Sequence, residues 1–347
     1  WNGSVYDYFR NRNMDANEFF LNSSGLPRQG LTRNIFGGTV SGPLGNRTLL
    51  FAGVEFNRTN RTRHVNTLIL REDARAGLFQ WYEPNDFVRD ETTVRTFDIP
   101  ANDPRGLGID PTVAAQIALF PGDGDLDDDE EDYINYALGA GLNTGGFLFE
   151  SPAHTNQERL SVRLDRNVHA RHNLFFRFNW QHADATDTQG TGFATYVDGP
   201  VPEYKDNGWT LAGGSDWAIG PAMVNELRIG YTRPEIKLER PGRLAGPMAM
   251  LNSWTNQQDV SFPSSYRSTG FDIADTLSQS RGVHSLKYGA AFRRSVQQRT
   301  DYSGVYPTVT LGTVEGNAPA ATIGPSLASE IAERDRQLFE YLYNDLL

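Results

Sequence analysis

Apolar residues in this chain recur at every second position, in runs that come in pairs joined by a few polar residues. Leu160, Val162 and Leu164 alternate with Ser161, Arg163 and Asp165, and after a polar turn at 167–172, Leu174, Phe176, Phe178 and Trp180 alternate with Arg177, Asn179 and Gln181. A period of two makes a strand with one apolar and one polar face, and two such runs around a short turn make an antiparallel hairpin. The same unit returns over Trp209–Ala218 and Val224–Arg233, where Leu227, Ile229 and Tyr231 oppose Glu226 and Arg228. It returns again over Phe271–Gln279 and His284–Arg294, with Leu286, Tyr288, Ala290 and Phe292 on one face. Earlier, Asn34–Gly42 and Thr48–Arg58 flank the turn Pro43-Leu44-Gly45-Asn46.

The connections fall into two populations. Hairpin turns take about four to six residues, whereas the segments between hairpins (10–32, 59–157, 184–206, 234–269 and 296–336) run to tens of residues. Compact soluble domains rarely contain so many long connections. A transmembrane β-barrel has short turns on one rim and long loops on the other. The strand length agrees: about 11 residues at ~3.3 Å each, tilted by ~45°, cover roughly 25 Å. The expected strands lie near 1–9, 33–42, 48–58, 158–167, 173–183, 207–218, 223–233, 270–280, 284–295 and 337–347, with 59–157 as one large extracellular loop insert.

Composition permits this and excludes other classes. Hydrophobic residues make up 38% of the chain, and no run approaches the ~18–20 apolar residues of a membrane-spanning helix. Barrel strands face lipid only at alternate positions, so they escape that test. Cysteine is absent, which removes disulfides and thiolate chemistry. A net charge of -11 argues against nucleic acid as a partner.

Candidate chemistry is sparse. The acidic run 123–132 places Asp123, Asp125, Asp127 and Asp129 at alternate positions, which could offer oxygens to Ca²⁺. An EF-hand does not fit, because the sixth position from Asp123 is Asp128 rather than glycine, and a solvated acidic loop tip competes with the metal reading. His169 and His172 fall in a tight turn, where exposed histidines are commoner than ligands. No nucleophile elbow, His-Glu-x-x-His or phosphate-binding loop occurs, so an enzyme has no constellation to stand on. Asp110-Pro111 starts a short helix over Val113–Phe120, and Glu72–Phe79 reads as another. Aromatic residues including Tyr6, Tyr8, Phe9, Phe19, Phe20, Trp180, Trp209 and Trp217 are candidates for belts at the membrane interfaces.

Two early stretches carry a family resemblance: Gly3-Ser-Val-Tyr6-Asp7-Tyr8-Phe9-Arg10-Asn11 with Met14-Asp-Ala-Asn-Glu-Phe-Phe20, and Arg33-Asn-Ile-Phe36-Gly37-Gly38-Thr-Val-Ser41-Gly42-Pro43. In this order they resemble the plug-to-barrel junction of TonB-dependent outer-membrane receptors, and most closely the Oar-like branch with its carboxypeptidase-regulatory-like domain. Arg163-Leu-Asp165, Asn225-Glu-Leu-Arg228 and His284-Ser-Leu-Lys287 resemble later strands of that family in the correct serial order. Ser41 departs from the usual second glycine of Gly-Gly-Pro, and Phe339–Asp345 matches only loosely the strand due there.

The resemblance implies an all-β, antiparallel transmembrane barrel, here about ten strands of a 22-stranded one, placed in the bacterial outer membrane. Nothing in the sequence corresponds to the plug, the TonB box or the terminal aromatic strand, so the chain reads as part of a longer protein. The implied function is capture of an unknown extracellular ligand and its import through a plugged pore energised by the TonB complex, with no cofactor. Arg163, Asp165, Arg177, Glu226, Arg228 and Lys287 would face the lumen and contact the plug. For 326–347 a strand competes with a helix, since Leu327, Ile331, Leu338, Leu342 and Leu346 are spaced roughly helically. A surface adhesin that uses the barrel only as an anchor, and a soluble secreted carbohydrate-binding protein, are the two competing readings.

Overall fold

The computed structural model describes all residues except 24, 83–92, 119, 121–140, 187–200, 202, 240–247, 256–262, 303–307, 311–330 and 332. Its main body is one antiparallel sheet built from β1 (Asn2–Asn11), β2 (Leu31–Pro43), β3 (Thr48–Leu70), β6 (Thr144–His169), β7 (His172–Thr186), β8 (Glu203–Gly220), β9 (Met223–Arg233), β10 (Glu235–Glu239), β12 (Ser264–Arg281) and β13 (His284–Asp301). Among the described residues the remaining strands are β4 (Leu78–Tyr82), β5 (Val94–Asp98), β11 (Met248–Met250) and β14 (Thr308–Thr310). Among the described residues the α-helices are α1 (Phe19–Ser23), α2 (Glu72–Arg75), α3 (Pro111–Ile117) and α4 (Glu333–Leu346).

Strands adjacent in the sheet follow one another in sequence, as an up-and-down wall requires. β9 and β10 occupy one position, because Trp209↔Arg233 and Lys205↔Lys237 continue a single register across Pro234. Proline lacks the N–H that a ladder rung needs, and this alone splits the strand. The tight turns hold where expected. Gly282, with φ +60°, closes the β12–β13 hairpin in the left-handed region that a two-residue hairpin turn favours.

The register fixes how the strands lean. One hydrogen-bonded row runs Leu49, Asp165, Phe175, Gly214, Arg228, Ala274, Ala291. Along it the distance to the nearest hairpin turn grows from about three residues at Leu49 to about nine at Ala291. With the turns at one level, each step of ~4.8 Å across the sheet slides about one residue, ~3.3 Å, along it. That corresponds to a tilt of roughly 35°, which is how strands lean in a closed or closing barrel.

Several elements exceed or contradict the sequence reading. β3 and β6 run on far past 58 and 158, pairing from Thr48↔Arg166 to Leu70↔Thr144, so 59–157 is not a single loop. β2 accompanies β3 only to Arg61 and β7 accompanies β6 only from Thr155, so the outer part of the pair is a free-standing two-stranded ribbon. Segment 234–269 likewise contributes β10 and the start of β12. The strand expected at 337–347 is helix α4. Its Leu338, Leu342 and Leu346 fall four apart on one buried face, and that packing outweighs any strand propensity.

That helix belongs to a second, smaller body at the long-loop end. Val65, Ile69 and Leu70 from the ribbon join Phe147 and Phe149, Phe79 and Trp81 of β4, Val113 and Ile117 of α3, Trp254, and Phe339 and Leu342 of α4 in one buried cluster. A lone two-stranded ribbon is marginal in water. Here its tip is the centre of a core. Phe79 is fully buried, stacked on Trp81 with centroids 6.0 Å apart and edge-on to Phe339 at 5.0 Å. Asp110 caps α3 by accepting from Thr112 N at 2.7 Å, and the buried Asp345 ties α4 to the amides of Asn252 and Ser253, both at 2.8 Å. Helix α2, expected to run from 72 to 79, ends after one turn because β4 begins at Leu78.

Candidate functional site

Cross-strand partners share a face of a sheet, so the registers sort every side chain. Arg163 pairs with Arg177, Asp165 with Phe175, Phe175 with Gly214, Gly214 with Arg228, and Asp216 with Glu226. Through Glu226↔Thr276 and Ser278↔Lys287 the same face reaches β13. Arg163, Asp165, Arg177, Glu226, Arg228 and Lys287 therefore stand together on one polar face.

Several polar side chains of that face are linked to each other. Arg163 holds Asp165 with Nε–Oδ2 at 2.7 Å and Nη2–Oδ1 at 2.8 Å. Arg228 Nη2 donates to Asp216 Oδ1 at 2.5 Å. Between these pairs lies the ring of Phe175, with the Arg163 guanidinium 5.1 Å and the Arg228 guanidinium 5.5 Å from its centroid. Gly214 permits this, since a Cβ there would run into the Phe175 ring. Further along, Arg177 Nε and Ser161 Oγ both donate to Asn179 Oδ1, at 3.3 and 2.9 Å, while Asn179 Nδ2 donates to Thr210 at 3.1 Å. Tyr6 donates to Glu55 at 3.0 Å, and Glu55 also pairs with Arg159 at 3.2 Å. Arg293 donates to Asp272.

Two grooves score this face. One of about 480 Å³ is lined by Tyr6, Glu55, Arg159, Arg163 and Arg177, and the other, of about 540 Å³, by Phe175, Arg228, Asp272 and Arg293. Each holds an ion pair, Glu55–Arg159 in the first and Asp272–Arg293 in the second, set among apolar side chains.

The opposite face is apolar and open. Phe176 is 43% exposed and Phe292 57%, and Val40, Val54, Ile229 and Leu286 are exposed beside them. Neither Phe176 nor Leu286 is covered by a second layer, which removes the soluble sandwich. This face also has sharp limits. On β6, Leu160, Val162 and Leu164 lie between Glu158 and Arg166, and on β9, Leu227, Ile229 and Tyr231 lie between Asn225 and Arg233. About eight residues at ~3.3 Å, leaning at ~35°, span about 22 Å, close to the ~25 Å apolar band of an outer-membrane barrel. Asp275 interrupts the band and is hydrogen-bonded by Asn225 at 2.7 Å.

Aromatic side chains mark both limits. Trp180 pairs with Trp209, whose ring stacks on Tyr231 at 5.0 Å, near the long-loop rim. Trp217 packs on His172 at 5.5 Å near the turns. Tyr6 and Tyr8, expected among the belts, sit on the polar face instead, since Tyr6 pairs with Gly37 and Tyr8 with Ile35. His169 and His172 flank the β6–β7 turn, and His172 bonds Ser215 Oγ at 2.8 Å.

The Ca²⁺ candidates Asp123, Asp125, Asp127 and Asp129 lie outside the described residues. Among the described residues no three acidic or histidine side chains group as metal ligands. Sequence reading missed the loop-end body and the ribbon below it. The signal for that body was the unbroken apolar run Leu68-Ile69-Leu70 opposite Phe147 and Phe149.

No curated protein matches the chain significantly. Among solved structures, the outer membrane transporter YddB from Escherichia coli aligns with 86% of this chain and 31% of its own, at 8% identity and a TM-score of 0.48. The chain thus spans about a third of that transporter's length. A family model described as an outer membrane beta barrel domain matches residues 1–334. With a lipid-height apolar band on one face and a charged face behind it, the chain belongs to this outer membrane β-barrel family and resides in the bacterial outer membrane.

Proposed function

We propose that this barrel wall belongs to a TonB-dependent, Oar-like receptor that captures a ligand at the cell surface and imports it through a plugged lumen. The observation that carries the reading is the gathering of Arg163, Asp165, Arg177, Glu226, Arg228 and Lys287 on the face opposite the apolar band. Charges are tolerated on a barrel wall where they point at water or at another protein surface rather than at lipid. The Arg163–Asp165 and Arg228–Asp216 pairs suit a lumen that must hold a plug by polar contacts and release it. The Arg163–Phe175–Arg228 ridge, with a groove on either side, is where the plug would key into the wall.

The test is to follow solutes removed from medium by cells with and without the whole protein, in the presence and absence of an uncoupler. Transport predicts accumulation that stops when the proton gradient collapses, while binding at the surface continues. Binding that is equal in both conditions, with no accumulation in either, would favour an adhesin. The folded body raised on the β3–β6 ribbon is the feature that favours this second reading, because it offers a rigid outward surface.

A further inference from the structure

Among the described residues, the lipid-facing side of the wall carries a carboxylate well inside the apolar band. Asp275 is exposed on β12 between Ile273 and Leu277, and its neighbours across the sheet are Leu227 and Ala290. Other carboxylates of this face are placed differently. Glu158, Asp184, Glu203, Glu235 and Glu239 stand beyond the outer limit of the band, each with a basic partner. Asp7, opposite Phe36, lies two residues short of that limit where Asn34 meets Arg58.

Asp275 pairs with no cation among the described residues. Asn225 Nδ2 donates to its Oδ1 at 2.7 Å and reaches the carbonyl of Thr276 at 3.4 Å, which occupies the donors of that amide. The second carboxylate oxygen and the Asn225 amide oxygen remain as acceptors, with no donor for them among the described residues. A carboxylate that faces hydrocarbon is costly unless a partner neutralises it. The missing partner is a cation that brings N–H donors.

The registers fix the depth of this pair. On β9 the band ends at Asn225, on the side of the short turns, which face the periplasm in an outer-membrane barrel. Asp275 lies just inside that end, opposite Leu227. A furrow runs alongside on β8, where Ser215 stands between Leu174 and Leu227, and Gly213 between Phe176 and Ile229. No side chain comes within 4 Å of where a Cβ on Gly213 would stand, so the furrow is open. At its lower end Trp217, the cross-strand partner of Asn225, brings an indole N–H.

We propose that Asp275 and Asn225 bind the primary ammonium of an aminophospholipid in the periplasmic leaflet. An acyl chain lies in the Ser215–Gly213 furrow, and the Trp217 indole donates to the phosphate. Unspent acceptors, an amphipathic indole at the edge of the band and an apolar channel match the three parts of one amphiphile. A primary ammonium offers three N–H donors, a quaternary ammonium offers none, and a glycerol headgroup carries no cation. The site therefore selects by headgroup among phospholipids with the same chains. The inference rests on which face meets lipid and does not depend on whether the protein transports anything.

The test uses the whole protein extracted into mild detergent, with retained lipid read by native mass spectrometry. The probes are phosphatidylethanolamine, phosphatidylcholine and phosphatidylglycerol with identical acyl chains. Asp275→Asn removes the charge and keeps the shape, and Glu158→Gln removes a carboxylate of the same face at the opposite limit as a control. Heat-modified electrophoretic mobility checks that both are folded. Wild type and Glu158→Gln should retain phosphatidylethanolamine over the other two lipids by at least about ten-fold, and Asp275→Asn should lose that preference. Gly213→Leu, which fills the furrow and leaves the carboxylate in place, should lower phosphatidylethanolamine retention. Equal retention of the three lipids by wild type overturns the proposal whatever the variants do, as does an unchanged preference in folded Asp275→Asn. Complete displacement by millimolar ethanolamine overturns it, since the site would then be one for a free amine. A two-copy species that disappears in Asp275→Asn overturns it as well, because the carboxylate would then serve a protein contact.

Discussion

Arg163 holds both oxygens of Asp165, two positions along the same strand, with bonds of 2.7 and 2.8 Å. Neighbours at i and i+2 share a face of a strand, so the pair is an intrastrand fork laid along the polar wall. Both side chains are close to half exposed, at 46% and 40%, so water screens much of the attraction. A double-mutant cycle through Arg163→Ala and Asp165→Ala should give a coupling of about 0.5 kcal/mol and no more than ~1 kcal/mol. Arg163→Lys should recover little of it, because an ammonium cannot make the fork. Urea unfolding from lipid vesicles measures it.

Phe178 lies in the middle of the apolar band, paired with Val162 and Leu211. Phe178→Arg should cost about 2–4 kcal/mol and reduce the folded fraction in vesicles. Arg177→Phe, one residue away on the polar face, should leave vesicle folding nearly unchanged. If the two substitutions cost the same, the assignment of faces is wrong.

Trp180 and Trp209 stand at the band's outer limit. Lipids brominated near the headgroup should quench their fluorescence more strongly than lipids brominated near the chain ends. A tryptophan placed by Phe178→Trp should show the reverse order.

Phe79→Ala should destabilise the loop-end body by about 3–5 kcal/mol, because the ring is fully buried among Trp81 and Phe339. Limited proteolysis should then cut between 65 and 149 while the barrel wall stays intact. Simultaneous loss of the wall would show that the two bodies do not fold separately.

Acid should loosen the same body through Asp103. Amides of Arg105, Leu107 and Gly108 donate to its carboxylate, with the Arg105 side chain beside them, and hold its pKa down to about 2. A depressed carboxyl pKa stabilises the folded form fully above the unfolded value of ~3.9, and the contribution disappears as pH falls through about 2. Burial pushes Asp345 the other way, raising its pKa, so its contribution grows as pH falls. The comparison of wild type with Asp103→Asn isolates the first effect. Protease resistance of wild type should exceed that of the variant at pH 6, and the two should converge near pH 2.

The wall was legible in the sequence because its strands obey a strict rhythm. Leu160-Ser-Val-Arg-Leu-Asp165 can bury or expose only one face at a time, and lipid on one side enforces that. The grouping of Arg163, Arg177 and Arg228 follows from the same parity once the turns are placed. The ribbon was not legible because its outer end is buried on both faces: Thr67, Leu68, Ile69 and Leu70 are all buried, so the alternation vanishes there. Its partner strand begins at Thr144-Gly-Gly146 and contains Pro152, residues that read locally as loop. Helix α4 showed its spacing at Leu338, Leu342 and Leu346, but a family template pointed to a strand. What decides it is a core assembled from Phe79, Ile99 and Val113, far away in sequence.

β3 and β6 have no tight turn to set their alignment, and their rungs join residues as far apart as Thr48 and Arg166. A slip of one rung would swing Arg163 and Asp165 into hydrocarbon and bring Val162 and Leu164 round to water. The ribbon's summit adds to the preference for the native alignment, because Ile69, Phe147 and Phe149 are buried together in it. The knob above the membrane therefore works as a clasp, and closing it near Leu70 and Thr144, where the intervening chain is shortest, is the cheapest place to begin zipping the wall together.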